Sequence, residues 1–299
     1  RTVSNRGGRS ARRRSPRSGA PPTAARSILL LQRLQSMFFP RFIMTWSFLV
    51  FLIASVAWET IALPMVQPLA DWKHPGIRAL EGPGRFQGDI LFSMNRSHDR
   101  NAVVEDDELW PEGVVPYTIH DKLRRSTKKI RQAMDEIESR TCLRFVPRRR
   151  HRNYIHIMRG DGCYSYIGRQ GGAQNVSLGS GCLYRGTILH ELMHALGFDH
   201  EHSRSDRDQY IDVFPENAEK ENVEQFDKLE PWENRLLVPF DKNSVMLYGS
   251  KTFARKPRLN TILDKDGNKL TEVHDKPGLS RSDVRRIKLL TAVEINHHS

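Results

Sequence analysis

The sequence predicts an α+β domain over residues 101–299, on the basis of four patterns. A β-branched and aromatic run at residues 114–119 is typical of a strand. Apolar residues recur at helical spacing over residues 126–139. An alternating run at residues 154–158 predicts a second strand, and a histidine-rich segment follows whose spacing fits a helix.

Each element has a local reason. Pro116 lies inside the first strand and cannot donate a backbone N–H, which predicts an edge position or a bulge. In the helix, four apolar residues at i, i+3, i+4 and i+7 predict one buried face and a solvated charged face: Ile130, Ala133, Met134 and Ile137. His156 alternates with apolar neighbours, so it is interpreted as a strand residue rather than a ligand.

The segment His190-Glu-Leu-Met-His194-Ala-Leu-Gly197-Phe-Asp-His200 is interpreted as a metal site. On a helix, His190 and His194 project from one face about one turn apart. Gly197 predicts a left-handed residue that ends the helix and lets the chain return with His200. Three imidazoles with one open position are typical of catalytic zinc, and Glu191 can reach a water beside the metal without binding the metal.

The alternative is a solvated helix face that carries histidines by chance. A methionine-centred segment, Ser244-Val-Met246-Leu-Tyr248, argues against it, because a long zinc motif followed by such a turn is the metzincin signature. Thr187 is predicted to cap the motif helix, with Leu192, Ala195 and Leu196 on its buried face. After His200 the pattern predicts largely irregular chain.

The basic composition belongs to one end of the chain. The net charge is +12, but residues 1–43 contain ten arginines and no acidic residue, which leaves +2 for the rest. The charge therefore gives no reason to expect a nucleic-acid partner. Residues 1–43 are interpreted as a basic leader outside the real product, with Met44 as the true start; disorder and an organelle transit peptide are the alternatives.

Residues 44–57 predict a signal peptide, since a short apolar run closes on the small-x-small pattern Ser55-Val-Ala57. Secretion and no stable membrane insertion are expected, with a membrane anchor over residues 42–58 as the alternative. Residues 58–100 are interpreted as a loosely structured propeptide that ends at Arg100, a cleavage point for an activating trypsin-like protease.

Three cysteines leave one thiol without an intramolecular partner in an exported chain. Cys163 and Cys182 flank a glycine-rich stretch, and a bridge between them would stabilise the fold by roughly 3 kcal/mol in the chain-entropy model. Zinc ligation by these thiols is the alternative, although no CxxC spacing supports it.

From about Phe86 to Leu290 the chain resembles the astacin-type zinc metalloendopeptidases, a branch of the metzincins. Four blocks carry the resemblance: FQGDI from residue 86, LWPEGVVPY from residue 109, CYSYIGR with QNVSL between residues 163 and 178, and HELMHALGFDHEHSRSDRD from residue 190. The resemblance implies a zincin-like fold of two subdomains with zinc in the cleft between them. The upper one would contain a twisted mixed sheet and two long helices, and the lower one would be mostly irregular.

The resemblance also implies roles at the metal. His190, His194 and His200 would bind one Zn²⁺, and Glu191 would be the general base and acid. Tyr248 would be a switchable fifth ligand that stabilises the oxyanion.

The resemblance implies further roles in activation and in the support of the site. Asp89 would occupy the fourth zinc position in the zymogen, and Met246 would pack beneath the zinc. After cleavage at Arg100, Glu201 would pair with the new amino terminus at Asn101. Cys163–Cys182 would be the family's disulfide.

Departures from the family pattern concern Cys142 and the chain end. Leu247 replaces a histidine that is common in the family's methionine-centred turn, here residues 244–248 and called the Met-turn. Met246 and Tyr248 keep their places in that motif. The family's last segment usually ends in a tyrosine and then a cysteine that would pair with Cys142, whereas Thr291 and Val293 stand in those places. A truncated or mis-spliced end that leaves Cys142 unpaired is therefore expected.

Lys276 falls where some members place a basic residue in the pocket for the amino acid after the scissile bond, which would favour Asp or Glu. A plain surface lysine is the alternative. Asn95 and Asn175 lie in N-x-Ser sequons and are candidates for glycosylation.

The expected function is a secreted zymogen of a zinc metalloendopeptidase that hydrolyses internal peptide bonds of proteins with zinc-activated water. One rival is a non-catalytic binding module, which an altered Glu191 or a lost ligand would indicate; none is altered. The other is a membrane-tethered protease, and a mature amino terminus near Asn101 would distinguish the secreted enzyme from it.

Overall fold

The computed structural model describes residues 72–92 and 108–297, with side chains up to residue 292. The strands are β1 Ile90–Leu91, β2 Val114–Ile119, β3 Arg144–Pro147, β4 Tyr154–Met158, β5 Cys163–Tyr166, β6 Ala173–Leu178, β7 Ile211–Val213 and β8 Ile262–Asp264. The helices are α1 Pro75–Arg78, α2 Thr127–Arg140, α3 Arg185–Ala195 and α4 Arg281–His297. Short 3-10 segments cover Pro111–Gly113, Asp121–Ser126, Glu201–Ser203, Arg207–Gln209, Pro215–Asn217, Lys220–Phe226 and Val273–Asp275.

Six strands form one mixed sheet in the order β1-β5-β6-β4-β2-β3. All neighbours run parallel except β5 and β6, which are antiparallel. β7 and β8 form a separate antiparallel pair within the mostly irregular segment that follows the metal motif. The α+β prediction, with a mixed sheet, is confirmed.

The predicted elements before the metal motif are confirmed within one residue. In α2 the four residues at helical spacing are buried at 0–1% exposure. The prediction for Pro116 was wrong for the strand as a whole, because β2 lies between β3 and β4. Pro116 itself is opposite Val146 of β3, and the pairing of β2 with β4 begins only at Tyr117. The missing N–H of Pro116 therefore lies in the part of β2 that does not pair with β4.

The helix of the metal motif is more deeply buried than one apolar face predicts. All ten residues from Gly186 to Ala195 are buried, because β5, β6, α2 and the segment Val273–Asp275 surround α3. Gly186 permits this packing, since a Cβ there would lie 2.0 Å from the carbonyl oxygen of Val273. The predicted cap was wrong: α3 begins at Arg185, so Thr187 lies inside the first turn and its buried hydroxyl has no hydrogen-bond partner among the described residues.

Two segments are more ordered than the sequence pattern predicts. Part of the predicted loose segment forms α1 and β1, and its Ile77, Leu80 and Ile90 are buried. The last helix, α4, was not predicted, although Val284, Ile287 and Leu290 are buried at helical spacing. Among the described residues no helix is both long and apolar enough to cross a membrane. The predicted signal peptide at residues 44–57 lies outside the described residues.

Candidate metal centre

Three histidines converge at one point in the interior. His190 and His194 extend from the same face of α3, which ends at Ala195; Gly197 has φ +111° and turns the chain so that His200 returns. Their Nε2 atoms lie 3.1 Å apart between His190 and His194, and 3.2 Å from each of these to His200. All three side chains are buried.

The second nitrogen of each ring fixes its tautomer. Nδ1 of His190 donates to the carbonyl oxygen of Val245 at 2.7 Å, and Nδ1 of His194 donates to that of Phe198 at 2.7 Å. Nδ1 of His200 donates to Oε1 of Gln87 at 2.6 Å. Because each Nδ1 carries the proton, each Nε2 directs a lone pair at the shared point, the arrangement that metal-ligating histidines adopt. Burial also lowers the pKa of His194 and of His200, against the negative charge of Asp89, which favours the neutral ligand form.

Asp89 contributes a carboxylate to the same point. Its Oδ2 lies 2.9 Å from Nε2 of His190, and its Oδ1 lies 3.2 Å from Nε2 of His200. One candidate ligand atom from each of the four residues lies within 4.8 Å of the others. Imidazole nitrogens and a carboxylate oxygen are ligands that zinc takes in proteins, so the residues fit a zinc ion.

The backbone before Asp89 places this carboxylate. Gln87 and Gly88 have positive φ angles of 49° and 92°. A Cβ at Gly88 would lie 2.3 Å from the carbonyl oxygen of Leu80 and 2.6 Å from the ring of Phe253. Only glycine therefore fits this position without displacing the carboxylate that follows it.

Two more predicted residues lie in this centre. The hydroxyl of Tyr248 is within donating distance of Oδ2 of Asp89 at 2.8 Å and of the carbonyl oxygen of Gln87 at 2.7 Å. Both carboxylate oxygens of Glu191 are buried without a hydrogen-bond partner among the described residues. Burial, with the nearby negative charge of Asp89, raises the pKa of Glu191 well above its ordinary value. A desolvated carboxylate of this kind can accept and return a proton near neutral pH.

The Met-turn supports the centre through its backbone. Val245 accepts the hydrogen bond from His190, and the carbonyl oxygen of buried Met246 accepts from the amide of Glu201 at 2.9 Å. The packing of Met246 beneath a zinc ion stays a prediction.

Glu201 is part of a buried ionic network. Its carboxylate accepts from Nη1 of Arg286 at 2.5 Å, from Nη1 of Arg204 at 3.1 Å and from the amide of Asp241 at 2.8 Å. Asn101 lies outside the described residues, so the pairing of Glu201 with that amino terminus stays a prediction.

Lys276 is only 3% exposed, and its Nζ donates to the carbonyl oxygens of Ser244 and Leu247. The structure therefore places it against the Met-turn backbone. Its predicted role in substrate preference stays a prediction.

The cysteines form one disulfide and leave one free thiol, as predicted. Cys163 and Cys182 form a disulfide that links β5 to the segment before α3. Cys142 is exposed, and its Sγ lies 3.0 Å from Oγ1 of Thr291 in α4. Of the sequons, Asn175 is exposed on β6 and Asn95 lies outside the described residues.

The sequence analysis missed Gln87 and Arg286. Gln87 contacts both His200 and Tyr248, and Arg286 joins Glu201 to the Met-turn by donating to Oγ of Ser244 at 2.6 Å. For Gln87 the available signal was its position two residues before Asp89. For Arg286 the sequence carries no local signal, because its partners lie far away along the chain.

Comparison with known proteins agrees with this geometry. Residues 102–291 match the family model of the astacin peptidases. Astacin-like metalloprotease toxin 1 of Loxosceles intermedia is 41% identical over 221 residues, covering 72% of this chain and 81% of that protein. Zinc metalloproteinase nas-13 of Caenorhabditis elegans is 38% identical, and the match covers 71% of this chain and 51% of that protein. High choriolytic enzyme 1, a hatching enzyme zinc-protease of Oryzias latipes, is structurally similar, with a TM-score of 0.59, 34% identity, and coverage of 64% of this chain and 98% of that one.

Proposed function

This chain belongs to the astacin family of peptidases and is a zinc-dependent metalloendopeptidase, and we propose that it is made as a secreted zymogen whose own Asp89 blocks the metal centre. The observation that carries the proposal is the carboxylate of Asp89 among the three Nε2 atoms of His190, His194 and His200. A carboxylate at that point excludes both the attacking water and the substrate carbonyl.

The strand that carries Asp89 supports this proposal. β1 extends the main sheet by pairing in parallel with β5, with Ile90 opposite Ser165, and the amide of Ser165 donates to the carbonyl oxygen of Asp89 at 2.9 Å. Removal of β1 would leave the backbone groups of β5 unpaired beside the metal centre. An extended substrate peptide would then add to this edge and present its backbone to the metal ligands.

We assign the chemistry to this chain's residues as follows. When bound, zinc supplies Lewis-acid polarisation of a carbonyl oxygen and makes a water molecule more acidic. The three imidazoles would hold it through Nε2. Glu191 would take a proton from the attacking water and return it to the leaving amine nitrogen, as its raised pKa permits. Once free of Asp89, the hydroxyl of Tyr248 would donate a hydrogen bond to the developing oxyanion.

The domain organisation belongs to the same proposal. The mature enzyme would be residues 101–299, released by a trypsin-like protease that cuts after Arg100 and removes propeptide residues 58–100. The amino group of Asn101 would then pair with Glu201. Protein or peptide substrates are the partners proposed, without nucleic acid or stable membrane insertion.

Secretion is proposed from the predicted signal peptide at residues 44–57 and from the disulfide Cys163–Cys182. Disulfides form and persist mainly in oxidising compartments such as the extracellular space. The names of two relatives, a toxin and a hatching enzyme, fit an exported protease.

The test compares the purified chain before and after limited trypsin cleavage on an unfolded protein substrate. We expect hydrolysis only after cleavage, its loss on adding a zinc chelator, and a new amino terminus at Asn101. Glu191→Gln is expected to keep zinc and lose activity, whereas Glu219→Gln, at an exposed position, keeps both.

Full activity of the uncleaved chain would contradict the zymogen proposal. Activity of Glu191→Gln comparable to wild type would contradict the role given to that carboxylate.

A further inference from the structure

The Met-turn backbone reaches the metal centre through one carbonyl group. The carbonyl oxygen of Val245 accepts the hydrogen bond that fixes the ring of His190. The orientation of this carbonyl group therefore sets the direction of the His190 Nε2 lone pair. Whatever holds the turn consequently acts on the geometry of the metal ligands.

The carboxylate of Asp283 binds the amide side of the Met-turn. Asp283 accepts from the amide of Val245 at 3.0 Å and from Oγ of Ser244 at 2.6 Å. Arg286 completes this side by donating to Asp283 at 2.8 Å and to Oγ of Ser244. These contacts bind the amide of Val245 and the hydroxyl of Ser244 but do not reach the carbonyl oxygens of Ser244 and Leu247.

The C=O side is held by a cation. Nζ of Lys276 donates to the carbonyl oxygens of Ser244 and Leu247, which bracket Val245 and Met246. The lysine follows the segment Val273–Asp275 that packs against the start of α3, so its backbone is fixed to the helix that carries His190. One side chain thus joins the metal-binding helix to both ends of the turn.

The charge of this lysine is matched by its surroundings. Burial lowers its pKa to about 8, while the negative charges of Asp283, Glu272, Glu201 and Asp241 oppose the shift. A buried ammonium group costs free energy unless it is paired and hydrogen-bonded, and here it has two carbonyl acceptors and nearby carboxylates.

We propose that Lys276 is a positioning residue for the metal centre, which holds the Met-turn so that the carbonyl oxygen of Val245 meets His190. This inference rests on the proposed metal-binding role of the histidines and differs from the predicted contact of Lys276 with substrate. Partners that orient ligating histidines commonly change metal affinity 10- to 100-fold when they are lost.

The test uses the full chain and measures zinc affinity by competition with a chelator. Lys276→Met keeps the apolar stem and removes the donors, and we expect zinc affinity to fall about 10- to 100-fold. With Co²⁺ in place of zinc, we expect the visible absorption bands to shift, because the direction of one ligand changes. Lys276→Gln removes the charge and shortens the side chain but keeps an amide NH2 group, and it replaces the methionine variant, with a smaller fall in zinc affinity expected, if that variant does not fold.

Lys251 offers a matched control. Its Nζ also donates to two backbone carbonyl oxygens, those of Pro257 at 2.7 Å and Leu259 at 2.6 Å, in a loop outside the metal centre. Lys251→Met is expected to leave zinc affinity within about twofold and the cobalt spectrum unchanged, which would show that losing a lysine bound to two carbonyl groups elsewhere does not produce the effect.

Unchanged zinc affinity and cobalt spectrum in Lys276→Met would overturn the positioning role. The same result together with a lost preference for Asp or Glu after the scissile bond would instead assign the residue to substrate recognition. Failure of the wild-type chain to bind zinc would refute the proposed metal site itself, which is a separate result.

Discussion

The contact between Cys142 and Thr291 gives the most quantitative prediction. Sγ of Cys142 lies 3.0 Å from Oγ1 of Thr291, although the two residues are 149 positions apart along the chain. Thr291→Cys would place two sulfur atoms near bonding distance and allow a bridge between the segment before β3 and the last helix.

Such a bridge closes a long loop. The chain-entropy model gives about 5 kcal/mol for a loop of this length at 25 °C, as an upper value for an unstrained bond. For a domain of this size, about 2–4 °C in Tm accompanies each kcal/mol, so Tm should rise by about 10–20 °C. The existing disulfide closes a separation of 19 residues and is worth about 3 kcal/mol by the same model.

The assay is thermal unfolding of the oxidised, zinc-loaded proteins at one concentration. The matched control is the double variant Cys142→Ser with Thr291→Cys, which contains the new thiol but cannot form the bridge. Thiol titration should find no free thiol in the oxidised single variant. Persistent thiols would refute the contact in the structure, and a formed bridge with no rise in Tm would refute the entropic reasoning.

Three further predictions concern the site and the segment that covers it. Tyr248→Phe should lower kcat of the activated enzyme about 10²- to 10³-fold with little change in KM, because the proposed oxyanion donor is lost, and steady-state kinetics against wild type measures this; an effect on KM alone would contradict it. Glu81→Gln should increase hydrogen exchange in residues 72–92, because glutamine loses the ion pair with Lys73 at 2.8 Å and its neutral oxygen is a weaker acceptor than a carboxylate for the amide of Phe253; unchanged exchange would contradict this. His274 stacks on His74 with ring centroids 4.0 Å apart, and burial lowers the pKa of His274 although Asp275 opposes the shift, so the neutral ring is favoured in the folded state. The stabilisation from this contact is complete above about pH 6.5 and is lost as pH falls below it, so the exchange protection factors of residues 72–92, which correct for the slower intrinsic exchange in acid, should fall on acidification, and less so in His274→Gln.

The local sequence pattern was enough to predict the elements whose buried residues recur at the period of a helix or a strand. The spacing of Ile130 and Met134 predicts α2, and the five-position zinc pattern predicts the convergence of three histidines, since helix geometry and one glycine determine it. The structure adds the hydrogen-bond acceptors that fix the tautomers of these rings, such as the carbonyl oxygen of Val245.

The features that the sequence predicted wrongly or not at all have a common physical cause, because each depends on residues that are distant along the chain. Thr187 is a residue type that often caps a helix, but α3, which other elements surround, begins at Arg185. Pro116 carries an edge signal, but its strand lies between two others in the sheet. The ionic contact of Arg286 with Glu201 joins residues 85 positions apart, and no periodic pattern reports such a pair.

The inclusion of Asp89 in the ligand set has a consequence for metal supply. If the chain is the zymogen proposed above, its uncut form offers four protein donors, the closed coordination of a structural zinc site, whereas the activated enzyme would retain three. The uncut chain should therefore be the tighter chelator, and activation should weaken its hold on the ion. If the protein is exported as proposed, a cell that releases it into zinc-poor surroundings would need to load the metal before the cut, and the segment that carries Asp89 would also retain the cofactor until then.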